Sequence, residues 1–277
     1  MDARILTSAD TELARRLVAE DPVTNVFVGS RLMAGVLNPG MPGLIWGWPA
    51  RAPQALLHIG ANLVPVATDL APLPAFVEAA GRRRTCQSIV GPSWLAMPLW
   101  QALSDRWGRA YSVVREVRRS QPVMATAGSP LVTPDPRVRP ITHADFESYF
   151  AAAVAMYTEE VGVDPLAGGG RAGYRAHCQS LVHTGRAWGI VTDDGRVVFK
   201  ADVGVSCGGV AQVQGVWLAP HLRGQGLAAP AMGSATRLIL ESHDVVSLYV
   251  NDFNTRAVKT YLRTGFTIAG EFATVLY

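Results

Sequence analysis

Apolar and polar residues follow two rhythms along this chain, and the change between them marks out the predicted elements. Where apolar positions recur every three to four residues a helix is expected, and where they alternate or run together briefly a strand is expected. In the second half the pattern predicts a short strand at Arg137–Ile141 and a helix from Ala144 to about Glu160, then a break at Gly168-Gly169-Gly170. A helix at Tyr174–His183 and strands at Ala187–Val191, Val197–Val205 and Ala211–Leu218 follow, with a hairpin turn at Asp193-Asp194-Gly195. A helix at Ala228–Glu241, a strand at Val245–Val250, a helix at Thr255–Arg263 and a strand at Phe266–Leu276 complete it. The first half has a comparable rhythm. It predicts helices at Ala9–Val18, Val26–Met33, Leu70–Ala80 and Ser93–Trp107, and strands at Leu44–Trp48, Ala55–Val66 and Ser88–Gly91. Strands alternating with helices make the chain α/β.

The joint between the halves falls in Ala125–Pro140, where Pro134, Pro136 and Pro140 resist helix. This divides the chain into an accessory domain at 1–124, a linker at 125–136 and a second domain at 137–277. Length agrees, since 277 residues exceed one typical domain. Hydrophobic residues at 49% against 17% charged supply a core and exclude a disordered chain. No apolar run is long enough to predict a membrane helix, and the start, Met1-Asp2-Ala3-Arg4, does not read as a signal peptide. Cys86, Cys178 and Cys207 are scattered, so neither a disulfide framework nor a metal site is expected. The expected setting is the cytoplasm. The whole net charge of +3 lies in the first half. That bias is too small to point to nucleic acid, and Arg82-Arg83-Arg84 reads as a solvated run.

Chemistry concentrates in Gln212–Ala228. A strand ending Val216-Trp217-Leu218 enters a loop containing Leu222, Arg223, Gly224, Gln225, Gly226 and Leu227, and the loop opens a helix at Ala228. Small residues let successive amides face one cavity, and a helix start adds unpaired N–H groups and a positive dipole end. Such a segment can hold a pyrophosphate. A second polar cluster, Asn251-Asp252-Phe253-Asn254, ends the strand some 25 residues on. There Asn254 is a cap or ligand contact, Ala257 and Tyr261 share a helix face, and Gly265 closes the helix.

Together these segments resemble the N-acetyltransferases of the GNAT family. The family's Gln/Arg-x-x-Gly-x-Gly/Ala motif is matched by Arg223-Gly224-Gln225-Gly226-Leu227-Ala228, and its Asn-x-x-Ala-x-x-x-Tyr-x-x-x-Gly-Phe motif by Asn254, Ala257, Tyr261, Gly265 and Phe266. The resemblance covers about Arg137–Tyr277. It implies a central mixed, mostly antiparallel sheet flanked by helices, and an acetyl-coenzyme A site. Leu222–Ala228 would hold the pyrophosphate, the edge at Val216–Leu218 the pantetheine arm, and Asn254 and Ala257 would lie beside them. Tyr261 would be general acid to the departing thiolate. The implied acceptor is a small-molecule or peptide amine, with no nucleic acid or membrane partner.

The strand before the loop offers Gln212 and Gln214 where many members carry a glutamate. Glu159 and Glu160 are the candidate bases, with Asp202 and the Tyr277 carboxylate as further options, although Asp202 alternates with Lys200 and reads better as an outward surface pair. The missing carboxylate leaves an acyl-coenzyme A sensor without turnover as one alternative, and an aminoacyl-tRNA-dependent transferase as another. The tryptophans Trp46, Trp48, Trp94, Trp100 and Trp107 suit packing. The first half reads as a degenerate copy of the same fold, with Gly91-Pro92-Ser93-Trp94 where a cofactor loop would stand.

Overall fold

The computed structural model describes residues 2–277. In chain order its elements are β1 (Arg4–Ile5), α1 (Thr11–Ala19), α2 (Val26–Met33), β2 (Leu44–Trp48), β3 (Ala55–Ile59), β4 (Asn62–Val66) and α3 (Leu73–Ala80). Next come β5 (Ser88–Pro92), α4 (Ser93–Trp107), α5 (Arg109–Ser112), β6 (Glu116–Thr126), β7 (Arg139–Pro140), α6 (Phe146–Val161) and α7 (Arg171–His183). The chain closes with β8 (Ala187–Val191), β9 (Val197–Cys207), β10 (Val210–Leu218), α8 (Ala228–Leu240), β11 (Val245–Tyr249), α9 (Thr255–Thr264) and β12 (Thr267–Leu276). Most helices and strands stand where the periodicity predicts them. Two differ. Ala55–Val66 is a hairpin of two strands rather than one, turning at Gly60-Ala61. The long strand β6 has no counterpart in the sequence reading, because its charged run Glu116–Arg119 masks the alternation.

The chain forms two compact units. The first contains the chain up to Met124 with Tyr249–Asn254 and Ile268–Tyr277, and the second contains Ala125–Leu248 with Thr255–Thr267. The compact units therefore do not follow a 1–124 and 137–277 division to the end. The reason is pairing: β12 runs antiparallel to β5, with Phe272 opposite Pro92 and Leu276 opposite Ser88. Val275 is fully buried among Leu63, Phe76, Ile89 and Leu103.

In the first unit β1, β2, β3 and β4 pair antiparallel in turn, and β5 joins β4 parallel. Strand β3 is apolar without alternation because it is covered on both faces. Leu57 belongs to one core with Phe76 and Leu99, and Leu56 to another with Ala14, Val28 and Leu32. Each such fully buried side chain contributes about 1.5–3 kcal/mol. Trp46, Trp48, Trp100 and Trp107 pack against the first of these cores as expected, whereas Trp94 is 47% exposed. Arg82 and Arg83 are solvated, but Arg84 is not. It donates to the carbonyls of Ala110 and Cys86 and lies 4.0 Å from the centre of the Tyr277 ring.

The second unit repeats the element order of the first: a short strand, two helices, three antiparallel strands, a helix, a strand parallel to the third, and a helix. Here β7, β8, β9 and β10 pair antiparallel and β11 joins β10 parallel. Phe146, Tyr149 and Phe150 of α6 and Cys178, Leu181 and Val182 of α7 form its core with Ala187 and Val197. The proline-rich linker is docked on α8. Ser234 Oγ donates to the Asp135 carbonyl at 2.7 Å, and the Asp135 amide donates to Pro230 at 3.2 Å.

Candidate active site

Three features of the second unit converge on the end of β10. The first is an open strand edge. The ladder to β11 covers Val210–Gln212 opposite Val245–Ser247, while pairing with β9 continues to Leu218. The residues past that short ladder change character, since Val210–Val213 are buried and Gln214–Leu218 are not.

The second feature is a kink in that edge. Gln214 lies opposite Asp202 and Trp217 opposite Lys200, so Gly215 and Val216 together face one residue of β9. This is a β-bulge, and Gly215 meets it with a φ of +61°, a conformation that a side chain would strain. A glycine inside an apolar strand was the available sequence signal for it.

The third feature is the loop from Ala219 to Leu227. A single helical turn at Pro220–Leu222 leads to Arg223, and α8 opens at Ala228. Gly224 and Gly226 have φ of +77° and +78°, and a Cβ at either would meet no atom within 4 Å. Among the described residues, the amides of Gly224, Gln225, Gly226 and Leu227 donate to no protein carbonyl. The first amides of α8 add to them, because they have no partner within the helix. Backbone donors and a positive helix end thus face an uncrowded space, which is a fit for a phosphate-bearing group.

Glu159 in the last turn of α6 is tied to this loop. Its carboxylate accepts from Arg223 Nη2 at 2.7 Å and from Trp217 Nε1 at 3.3 Å, while Arg223 Nε donates to the Leu218 carbonyl at 2.8 Å. Glu159 therefore braces the loop against α6. Glu160 is its neighbour in the sequence. Its charge, with burial as the larger cause, raises the Tyr261 hydroxyl well above the ordinary tyrosine value. Tyr261 is 7% exposed, and its ring lies 5.9 Å from that of Phe266. Ala257 is one turn before it on α9, half-buried. Gly265 ends the helix with a φ of +108°, as the sequence predicts. Asn254 belongs to the Tyr249–Asn254 segment of the first unit, and its amide donates to Asn251 at 2.9 Å. Tyr277, a further base option, has its side chain in the first unit, edge-on to Tyr111.

The reading of Lys200 and Asp202 as a surface pair is corrected. Lys200 is 0% and Asp202 4% exposed, because β9 is flanked by β8 and β10 and covered by α6. Lys200 Nζ donates to Asp202 Oδ2 at 2.5 Å and to the Gly215 carbonyl at 2.7 Å, and Tyr149 donates to Asp202 Oδ1 at 3.0 Å. Burial pushes the Asp202 carboxyl up, against the opposing pull of Lys200 and Tyr149. Removing one partner of such a buried pair costs about 3–5 kcal/mol.

A shallow hollow between α6 and α7 shares no residue with this region. His143, Phe146, Glu147, Arg175, Gln179 and His183 line it, and its guanidinium is spent on Glu147 and on the Phe146 face at 4.8 Å. Among the described residues there is no cluster of three metal-ligating side chains, and no helix is long and apolar enough to cross a membrane.

Two family models match this chain. A model of the acetyltransferase (GNAT) family matches residues 155–266, and a model described as a domain of unknown function (DUF4081) matches 43–149. A comparison with curated proteins finds no match. A GCN5-related N-acetyltransferase from Sphaerobacter thermophilus is similar in fold, with a TM-score of 0.61 at 16% identity over 99% of this chain and 94% of that one. An acetyltransferase from the GNAT family from Colwellia psychrerythraea has a TM-score of 0.57 at 10% identity, with both chains covered in full. A tandem GNAT protein from the clavulanic acid biosynthesis pathway has a TM-score of 0.56 at 15% identity over 99% of this chain and 97% of that one.

Proposed function

Since residues 155–266 form a domain of the GNAT family, and this domain is an N-acetyltransferase that uses acetyl-coenzyme A, we propose that it moves the acetyl group to a primary amine by direct attack. The acceptor is the amine of a small molecule or peptide. The observation that supports the cofactor's place is the run of undonated amides from Gly224 to Leu227 at the start of α8, beside the half-exposed end of β10.

Bound there, acetyl-coenzyme A supplies an activated thioester. Gly224, Gln225, Gly226, Leu227 and Ala228 bind the pyrophosphate through backbone amides, flanked by Leu222 and Arg223, whose own amides are spent on the Ala219 and Pro220 carbonyls. Val216, Trp217 and Leu218 bind the pantetheine arm along the edge of β10, with Ala257 as its further contact. Holding both reactants in one geometry removes much of the entropic barrier. Tyr261 keeps the proton on its Oη, because burial and the Glu160 charge both disfavour tyrosinate, so the hydroxyl can donate to the sulfur. Glu160 accepts the proton shed by the attacking amine. Glu159, committed to Arg223 and Trp217, positions the loop instead.

Thiol release over a panel of primary amines tests this reading. Tyr261→Phe is expected to lower kcat about 10²-fold while leaving acetyl-coenzyme A affinity unchanged. Unchanged turnover in that variant would remove Tyr261 as the acid.

A further inference from the structure

We propose that Lys200, Asp202 and Tyr149 form a buried clamp that sets the direction of the Gly215–Val216 peptide, turning the Val216 amide toward the open edge of β10 for an acyl carbonyl. The proposal rests on the function above, since it takes that edge as the place of the thioester.

In a regular ladder the carbonyl of Gly215 would bond to a neighbouring strand. At this bulge it accepts instead from Lys200 Nζ at 2.7 Å. A trans peptide carries its N–H opposite to its C=O, so this contact also sets the direction of the Val216 N–H, away from the lysine. The lysine cannot swing. It is fully buried, and Asp202 grips its ammonium at 2.5 Å while Tyr149 and Asp202 share a hydrogen bond of 3.0 Å. Asp202 is held between two donors, one from β9 and one from α6, so the clamp is referred to the rigid core and not to the loop.

The fit excludes any residue but glycine at the clamped position. A Cβ on Gly215 would stand 2.8 Å from Lys200 Nζ, 3.0 Å from Asp202 Oδ2 and 3.1 Å from Met156 Cε. Stability alone does not account for charges here, because a buried ion pair commonly contributes no more than an apolar pair of the same volume. What the ammonium supplies, and a methyl group cannot, is a fixed direction for one backbone carbonyl.

The test uses the full chain with acetyl-coenzyme A labelled with ¹³C at the carbonyl, followed by infrared difference spectroscopy. In the unaltered protein the carbonyl band is expected below its position in free solution. In Lys200→Met/Asp202→Leu, which removes both charges together, the band is expected to return to the free position. The preference for acetyl-coenzyme A over S-ethyl-coenzyme A, which lacks the carbonyl, is expected to fall by about 3- to 10-fold, the worth of one hydrogen bond. Affinity for S-ethyl-coenzyme A is expected to hold, as a purely structural role would not separate the two ligands. Asp202→Asn keeps one oxygen for Lys200 and turns an N–H toward the Tyr149 hydroxyl, which can accept it, and serves if the double variant fails to fold. It is expected to move the band part of the way. An unmoved band in a folded variant overturns the clamp. So does an unshifted band in the unaltered protein when the ligand binds, and that result leaves the cofactor reading standing. Failure of the unaltered protein to bind either ligand overturns the cofactor reading and the clamp with it.

Discussion

The segment joining β10 to α8 and the segment joining β4 to α3 hold the same place in the repeated element order, yet only one of them can cradle an anion. The first runs from Ala219 to Leu227, carries two glycines at positive φ and leaves four amides undonated. The second, Ala67–Pro72, contains no glycine. Asp69 Oδ1 takes the Ala71 amide at 2.9 Å, filling a donor with a carboxylate of the protein's own, and Pro72 and Pro74 remove further amides at the start of α3. The strands before them differ likewise. Gln214–Leu218 are half-exposed or exposed, whereas Leu63–Val66 are buried, and Pro65 packs 3.5 Å from where a Cβ on Gly91 would stand. Both ladders to the parallel neighbour are short, but in the first unit the strand beyond the ladder is buried. One topology is thus compatible with a cofactor site or a packed interior, and a handful of residues decides which.

Substitutions can break this contrast, and the largest effect is expected from the glycines. Gly226→Val strains a position at φ +78° and obstructs the cradle, so acetyl-coenzyme A affinity is expected to fall at least about 100-fold, near 2.7 kcal/mol, by calorimetry. Asp69→Ala in the first unit is expected to leave that affinity unchanged. A second contrast concerns acid. His58, in the first unit, is the buried histidine of the described residues. Burial holds it down to about 4, with the Asn62 carbonyl opposing and the Arg31 charge adding to the fall. The unfolded chain, with a histidine near 6.5, binds more protons between those values, so stability is lost as pH falls from about 6.5 to 4. Unfolding free energies from urea titrations are expected to decline over that window by up to about 3 kcal/mol, and His58→Gln is expected to flatten the decline. An undiminished slope in that variant would place the acid sensitivity elsewhere. The smallest effect belongs to Glu159→Gln. Its ion pair with Arg223 is solvent-exposed, so cofactor affinity is expected to fall no more than about fivefold. A loss as large as that of Gly226→Val would make Glu159 part of the binding surface and not a brace.

The site was legible in the sequence where chemistry depends on local spacing. Arg223–Ala228 reads as a strand–loop–helix without any knowledge of the fold, because glycines and helix starts act through the backbone beside them. What was illegible depends on distance along the chain. The sequence places the relic of a loop at Gly91-Pro92-Ser93-Trp94, but β5 passes into α4 at that point with no loop between. The segment that matches in topology is Ala67–Pro72, which has no motif to show. Lys200 and Asp202 alternate as a surface pair does, and only the strands on either side, with α6 above, make them interior. β12 lies with β5 by a pairing between residues far apart in the chain, from Phe272 opposite Pro92 to Leu276 opposite Ser88, which no periodicity reports.

The central claim is that the chain carries one acetyl-coenzyme A site and that it lies in the second unit. Calorimetric titration of the full chain with acetyl-coenzyme A tests it most directly, with and without Gly226→Val. The account expects one equivalent bound per chain, and no measurable binding at the same concentrations in the variant. Two equivalents, or binding that survives the substitution, would contradict it.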